Sequence, residues 1–258
     1  MNILVLGDIV SESGCEFVRS MLPAVKRENN IDICIANGEN SATGNGISPA
    51  SADYLLSSGI DFITTGNHVF KRNDVYSYLD ETDRVIRPYN VHSSNPGKGV
   101  GKIDMGRYKI GIINLLGKAF MNGSENPFDS VDKALEEIKD CKIKIVDFHA
   151  EATGEKRAMG FYLDGKVSAV FGTHTHVRTA DATILPNKTG YITDVGMCGP
   201  QNSVLGVDSV IIIKALKPGM PQRFNVSTNP CAIDGCIFEI DEKSFMTKSV
   251  RTISIGSI

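Results

Sequence analysis

The sequence predicts an α/β protein built on a layered sheet core. Short apolar, β-branched runs recur through the first two-thirds of the chain. Each is followed by a turn of Gly, Asn, Asp or Ser and then by a helical pattern, the alternation expected of βαβ units. The runs are apolar on both faces, as strands are when a layer covers each side of the sheet.

The first strand is Ile3–Leu6. After it, Phe17, Val18, Met21, Leu22 and Val25 form an apolar stripe at helical spacing. A second strand, Ile31–Ala36, precedes a helix that Ser48 caps, that Pro49 opens at its first position and that Gly59 ends. Ile60–Thr64 and Ile110–Leu115 are the third and fourth strands. Val131, Ala134, Leu135 and Ile138 mark a helix just before the strand Ile143–Phe148, and Val167–Phe171 follows. Beyond about residue 180 the helical pattern thins, and Ala182–Leu185, Gly190–Thr193, Gln222–Val226 and Cys231–Ile240 predict a mostly β C-terminal third. No low-complexity linker or repeat divides the chain, so one domain is expected over residues 1–258.

With 27 basic against 30 acidic side chains, the net charge of −3 supplies no general field for a nucleic-acid backbone. Six scattered cysteines show no disulfide frame and suit reduced thiols in the cytoplasm; Cys231 and Cys236 lack a second pair to complete a zinc knuckle. Met1 to Asp8 has no basic region and too short an apolar run for a signal peptide. The most apolar stretch, Val210 to Leu216, is broken by Lys214, so no membrane association is expected. Strand edges in the C-terminal third leave homo-oligomerisation open.

The chemistry lies at the strand ends. Gly7-Asp8 ends the first strand, Asn37-Gly38-Glu39-Asn40 the second and Gly66-Asn67-His68 the third. Later strands end in Asp147-Phe148-His149 and Gly172-Thr173-His174-Thr175-His176. In open α/β sheets these positions face the crevice where sites form. Four of the five histidines fall here, leaving only His92 outside. Singly, Asp8 reads as a cap or turn residue, Asn40 and Asn67 as turn residues, and His149 as a satisfied polar group. Together, Asp8, Glu39, Asn40, Asn67, His149, His174 and His176 are too many ligands for one ion and suit two, with Glu39 as the bridge. Carboxylate, carboxamide and imidazole donors without thiolate suit Mn, Fe, Co or Zn. In an extended chain His174 and His176 share a face, so both rings can converge. Asp147 is a candidate acceptor that orients an imidazole, and Glu151 and Thr153 are candidates for contacting substrate or supporting a ligand. Gly97-Lys98-Gly99-Val100-Gly101 lacks the ending of a phosphate loop and reads as a turn.

The order of these motifs resembles the calcineurin-like metallophosphoesterases, and more narrowly their bacterial YmdB-like branch. Asn37-Gly38-Glu39-Asn40, Thr65-Gly66-Asn67-His68, Asp147 to Thr153, Gly172 to His176 and Thr193-Asp194-Val195-Gly196-Met197 carry the likeness, which spans nearly the whole chain. The resemblance implies a four-layer α/β/β/α sandwich and hydrolysis of small phosphodiesters, 2′,3′-cyclic nucleotides above all, by a hydroxide bridging two divalent or mixed-valence ions. Fe or Mn is implied, with Zn or Co as alternatives. It gives one ion Asp8, Glu39, Asn40 and His176, and the other Glu39, Asn67, His149 and His174. His68 is left as the catalytic group that protonates the leaving alkoxide or stabilises phosphoryl charge. The chain departs from the wider superfamily twice. Asp8-Ile9-Val10 lacks the usual histidine two residues on, for which Asn40 stands in, and Glu39 replaces the usual bridging Asp. A phosphomonoesterase or nuclease using the same ions, and a regulatory protein that binds a nucleotide with incidental turnover, are the competing readings.

Overall fold

The computed structural model describes residues 1–256. In chain order the elements are β1 (Asn2–Leu6), β2 (Asp8–Ile9), α1 (Ser11–Glu28), β3 (Ile33–Asn37), α2 (Pro49–Ser57), β4 (Phe62–Thr64) and α3 (Tyr76–Glu81). There follow β5 (Val100–Asp104), β6 (Lys109–Leu116), α4 (Pro127–Glu137), β7 (Ile143–His149), α5 (Thr153–Leu163) and β8 (Ala169–Thr173). The chain ends with β9 (Thr183–Ile184), β10 (Gly190–Ile192), β11 (Met197–Pro200), α6 (Ser209–Leu216), β12 (Cys231–Ile240) and β13 (Thr247–Gly256).

Two mixed sheets result. The first runs β2-β11-β12-β1-β3-β4 with β13 also on β12, and the second runs β5-β6-β7-β8-β10-β9. β1, β3 and β4 are parallel neighbours, as are β6, β7, β8 and β10, so their C-terminal ends lie on one side.

Alternation within each strand sorts the core into three clusters. Leu4 and Leu6 of β1, with Cys34 and Ala36 of β3, face Val18, Leu22 and Val25 of α1 and Ala52 and Leu55 of α2. Ile3, Val5, Ile33 and Ile35 face the opposite way, onto Ile110, Ile112, Ile143, Ile145 and Phe171 of the second sheet. The outer face of that sheet sets Ile113, Leu115, Val146 and Phe148 against Val131 and Ala134 of α4 and Met159 and Leu163 of α5. Helices, sheet, sheet and helices therefore follow one another.

The α2 boundaries are those expected. The Ser48 hydroxyl accepts the Ser51 N–H at 3.2 Å, Ser51 Oγ accepts the Ser48 N–H at 3.0 Å, and Gly59 leaves the helix at φ +104°.

Two expectations are corrected. Val100 to Asp104, begun inside the glycine-rich turn, is an edge strand on β6, and a Cβ at Gly101 would collide with the Phe62 ring. The C-terminal third contains a helix, α6, capped by Asp208, whose carboxylate accepts the Val210 N–H at 2.8 Å, while Gln222 to Val226 forms only an isolated bridge at Val226. No α6 residue is buried, and Val210, Ile213 and Leu216 stand exposed, so the run is β-branched without being a core strand. All six cysteines are buried free thiols. Among the described residues no helix is long and apolar enough to cross a membrane.

Candidate metal centre

The parallel strands deliver the polar residues to one place. Asp8 opens β2, Glu39, Asn40, Asn67 and His68 come from loops after β3 and β4 of the first sheet, and His149, His174 and His176 come from the ends of β7 and β8 in the second. Asp8, Glu39 and His149 form a buried floor. His68, His174 and His176 are half-buried above it, and Asn67 lies exposed at the rim.

His149 Nε2 is the focus of one half. Glu39 Oε1 lies 3.2 Å from it, Asn67 Oδ1 3.0 Å and His174 Nδ1 3.0 Å. Donors held 2.0–2.2 Å from a shared cation are separated by roughly this distance. The Glu39, His149 and His174 donor atoms lie within 4.8 Å of one another. In the other half, His176 Nε2 is 3.6 Å from Asp8 Oδ1 and 3.3 Å from Asn40 Nδ2, and Asn40 Nδ2 is 3.4 Å from Glu39 Oε1. Glu39 thus touches both halves. Its second oxygen, Oε2, accepts the His68 N–H at 2.8 Å. His68 Nδ1 lies 2.9 Å from Asn40 Oδ1. His92 stays apart, exposed and hydrogen-bonded to Ser94.

His174 and His176 do not converge through extended backbone. Both adopt left-handed φ, +99° and +61°, and their rings serve opposite halves of the centre. Such conformations cost of order 1–3 kcal/mol each and persist only where the surroundings enforce them. Here the His174 N–H donates to Asp8 Oδ2 at 3.0 Å, while the Thr175 N–H and hydroxyl donate to Asp194 Oδ2 at 3.1 and 2.8 Å. Asp194 is in turn paired at 2.7 Å with the Lys156 ammonium, which also donates to Thr173 O, and both side chains are buried. Sequence reasoning missed this pair. The signal was there in α5, whose buried positions Lys156, Met159, Gly160 and Leu163 are spaced as an apolar stripe with a lysine in its first place.

Asp147 lies beneath His149 on the same strand face. Its carboxylate accepts the hydroxyls of Thr64 at 2.5 Å and Thr173 at 2.8 Å, and Thr173 Oγ1 lies 2.9 Å from His149 Nδ1. The threonine therefore accepts the His149 Nδ1–H, which turns Nε2 toward the centre.

The charges are mutually arranged. Burial alone would raise the Asp8 and Glu39 carboxyls, but the imidazoles beside them outweigh it and hold both low, Glu39 well below the carboxylate range. Burial likewise disfavours the His149 cation, yet Glu39, Asp8 and Asp147 lift it to about 9, and Asp8 raises His176. Burial and the His149 charge push His174 down to about 4, and burial pushes Asp147 up to about 7. Positive charge is wanted at this centre.

The residues fit a bound cation. Asp8 Oδ1 and His176 Nδ1 are buried without a hydrogen-bond partner, and a Cβ at Gly66 would collide with His149 Nε2 and Glu39 Oε2. The donors are oxygen and imidazole nitrogen except at Asn40, which faces the centre through its amide Nδ2.

The two-sheet α/β fold, with this candidate site at its strand ends, is a fold of the calcineurin-like phosphoesterase type. The chain belongs to the YmdB-like protein family, whose sequence profile matches residues 4–253. It is 39% identical to a 2′,3′-cyclic-nucleotide 2′-phosphodiesterase of Bacillus subtilis, over 99% of this chain and 97% of that one. A Thermus thermophilus protein of solved structure has a TM-score of 0.94 at 35% identity, with 100% of both chains covered. A phosphatase of Mycoplasma pneumoniae has a TM-score of 0.93 at 35% identity, covering 99% of this chain and 93% of that one.

Proposed function

We propose that this chain is a cytoplasmic, metal-dependent phosphodiesterase that opens 2′,3′-cyclic nucleotides at the P–O2′ bond. The observation that carries the reading is the convergence of Glu39, Asn67 and His174 on His149 Nε2 beside a second cluster of Asp8, Asn40 and His176. The activity of the B. subtilis relative supports the substrate, and six buried free thiols are consistent with a reducing compartment.

In this reading one ion would be held by Glu39, Asn67, His149 and His174 and the other by Asp8, Glu39, His176 and, with its carboxamide turned so that Oδ1 faces inward, Asn40. Mn or Fe suits the oxygen and nitrogen donors. Ions bound there would supply Lewis acidity to the phosphoryl group and lower the pKa of a water from 15.7 to roughly 7. The chain's own task is placement and proton delivery. Glu39 spans the two halves. His68 Nδ1 lies 2.9 Å from Asn40 Oδ1 and 3.4 Å from Glu39 Oε1, and a proton held on Nδ1 there leaves Nε2 to carry the proton that the departing 2′-alkoxide takes.

Three outcomes are expected. Chelation should abolish hydrolysis of 2′,3′-cyclic AMP and Mn²⁺ should restore it; full activity in protein shown to be metal-free would overturn the reading. His68→Ala should retain bound metal but lose about 10²- to 10⁴-fold in kcat. That loss should shrink for a p-nitrophenyl diester, whose leaving group needs no proton; an equal loss on both substrates would count against proton delivery.

The third outcome concerns pH. His149 keeps its proton up to about pH 9 in the metal-free protein. Its folded pKa lies above the ordinary 6.5, so this proton stabilises the metal-free fold fully below about pH 6.5, and the contribution is lost as pH rises through 9. A cation must displace the proton. Mn²⁺ uptake at pH 7.5 should therefore release protons and tighten as pH rises. Calorimetry in two buffers of different ionisation enthalpy reads this directly, and identical heats after correction for affinity would contradict it.

A further inference from the structure

We propose that Glu151 is a positioning residue for the metal centre: its carboxylate, in ion-pair contact with His174 Nε2, is placed to take that nitrogen's N–H on a small turn of the side chain and thereby commits His174 Nδ1 to the cation. This role rests on the two-metal reading above. Glu151 Oε2 lies 3.1 Å from His174 Nε2, and His174 Nδ1 lies 3.0 Å from His149 Nε2. A neutral imidazole has one N–H and one lone pair, so a partner that takes the N–H decides which nitrogen can ligate.

The two neighbouring imidazoles are held in complementary ways. His149 turns Nε2 inward because Thr173, backed by Asp147, takes its Nδ1–H from below. His174 turns Nδ1 inward, and its other nitrogen meets Glu151 at the rim. β7 thus ends by supplying one ligand, His149, and two residues later the carboxylate that orients another. The need is greater at His174. Its backbone sits at φ +99°, and its ring is half-buried, packed edge-on to His149 with centroids 4.8 Å apart, with Glu151 as the carboxylate that meets its outer nitrogen.

An exposed pair of this kind contributes almost nothing to folding, since the Glu151 side chain retains 50% of its exposure. Its effect is on ligand geometry, where losing such a partner costs 10- to 100-fold in metal affinity.

The test compares the full-length parent, Glu151→Ala and Glu151→Gln. Mn²⁺ binding is measured by calorimetry, and the His174 Nε2–H by long-range ¹H–¹⁵N correlation in metal-free and Zn²⁺-loaded protein. Glu151→Ala should weaken one of the two Mn²⁺ sites about 10- to 100-fold and lose the hydrogen-bonded Nε2–H signal. Its metal-free melting temperature should not change. Glu151→Gln, whose side-chain oxygen still accepts an N–H, should keep most of both. Parent-like Mn²⁺ affinity with the signal intact in Glu151→Ala overturns the proposal, as does Glu151→Gln failing as badly as alanine, because charge would then matter and not the acceptor. A parent that binds no Mn²⁺ would sink the two-metal reading instead. The metal-free spectra would still decide whether Glu151 holds the His174 proton.

Discussion

Glu39→Gln should yield a folded protein that cleaves a phosphodiester on the order of 10³-fold more slowly, or not at all. The substitution keeps the shape of a side chain that is 1% exposed, so a steric collapse is not expected. The loss is electronic. Oε1 lies among His149 Nε2 at 3.2 Å, His68 Nδ1 at 3.4 Å and Asn40 Nδ2 at 3.4 Å, while Oε2 accepts the His68 N–H. A carboxamide has one oxygen. Whichever way it turns, its NH₂ faces donors, and neither orientation offers an anionic oxygen to both halves. Metal analysis should find fewer than two ions per chain, with the circular-dichroism spectrum unchanged. Parent turnover in this variant would exclude Glu39 from the centre.

Lys156→Met should have the largest effect on stability. Removing the ammonium leaves the fully buried Asp194 carboxylate without its counter-charge, a loss of about 3–5 kcal/mol. The activity should fall further than the unfolded fraction explains. Asp194 is what holds Thr175 and, through it, the left-handed turn that places His174 and His176, and a 1 Å error in such placement can cost on the order of 10²-fold. Adding Asp194→Asn neutralises the orphaned charge while keeping an acceptor for Thr175, so denaturant titration should show the double variant recovering most of the lost stability. If Lys156→Met melts like the parent, the pair carries no such weight.

What the sequence revealed follows from what repeats in it. Runs such as Ile110–Leu115 and Ile143–Phe148 are apolar on both faces because apolar clusters lie on both sides of their sheet. The polar residues that interrupt these runs mark the strand ends, which is why Asp8, Glu39, Asn67 and His149 could be picked out before any contact was known. What it hid depends on contacts between distant segments. The Ser209–Leu216 helix carries β-branched residues typical of strands, and only the Asp208 cap distinguishes it. The turn at His174 and His176 departs from extended geometry because Asp194, 20 residues beyond His174, enforces it. Lys156 is buried only because Asp194 and Thr173 O meet it there.

The donors of the centre are divided between two sheets that otherwise meet across an apolar interior, joined locally by hydrogen bonds from Asn37 and Thr64 to Asp147. An ion shared between Glu39 and His149 would act as a rivet through both. Metal supply would then set the mechanical coupling of the two halves as well as the reaction rate. At a free concentration one hundred times its dissociation constant, a single such ion adds about 2.7 kcal/mol to the folded state. In a metal-starved cell the chain would lose rigidity together with its chemistry, and its susceptibility to proteolysis would report its loading.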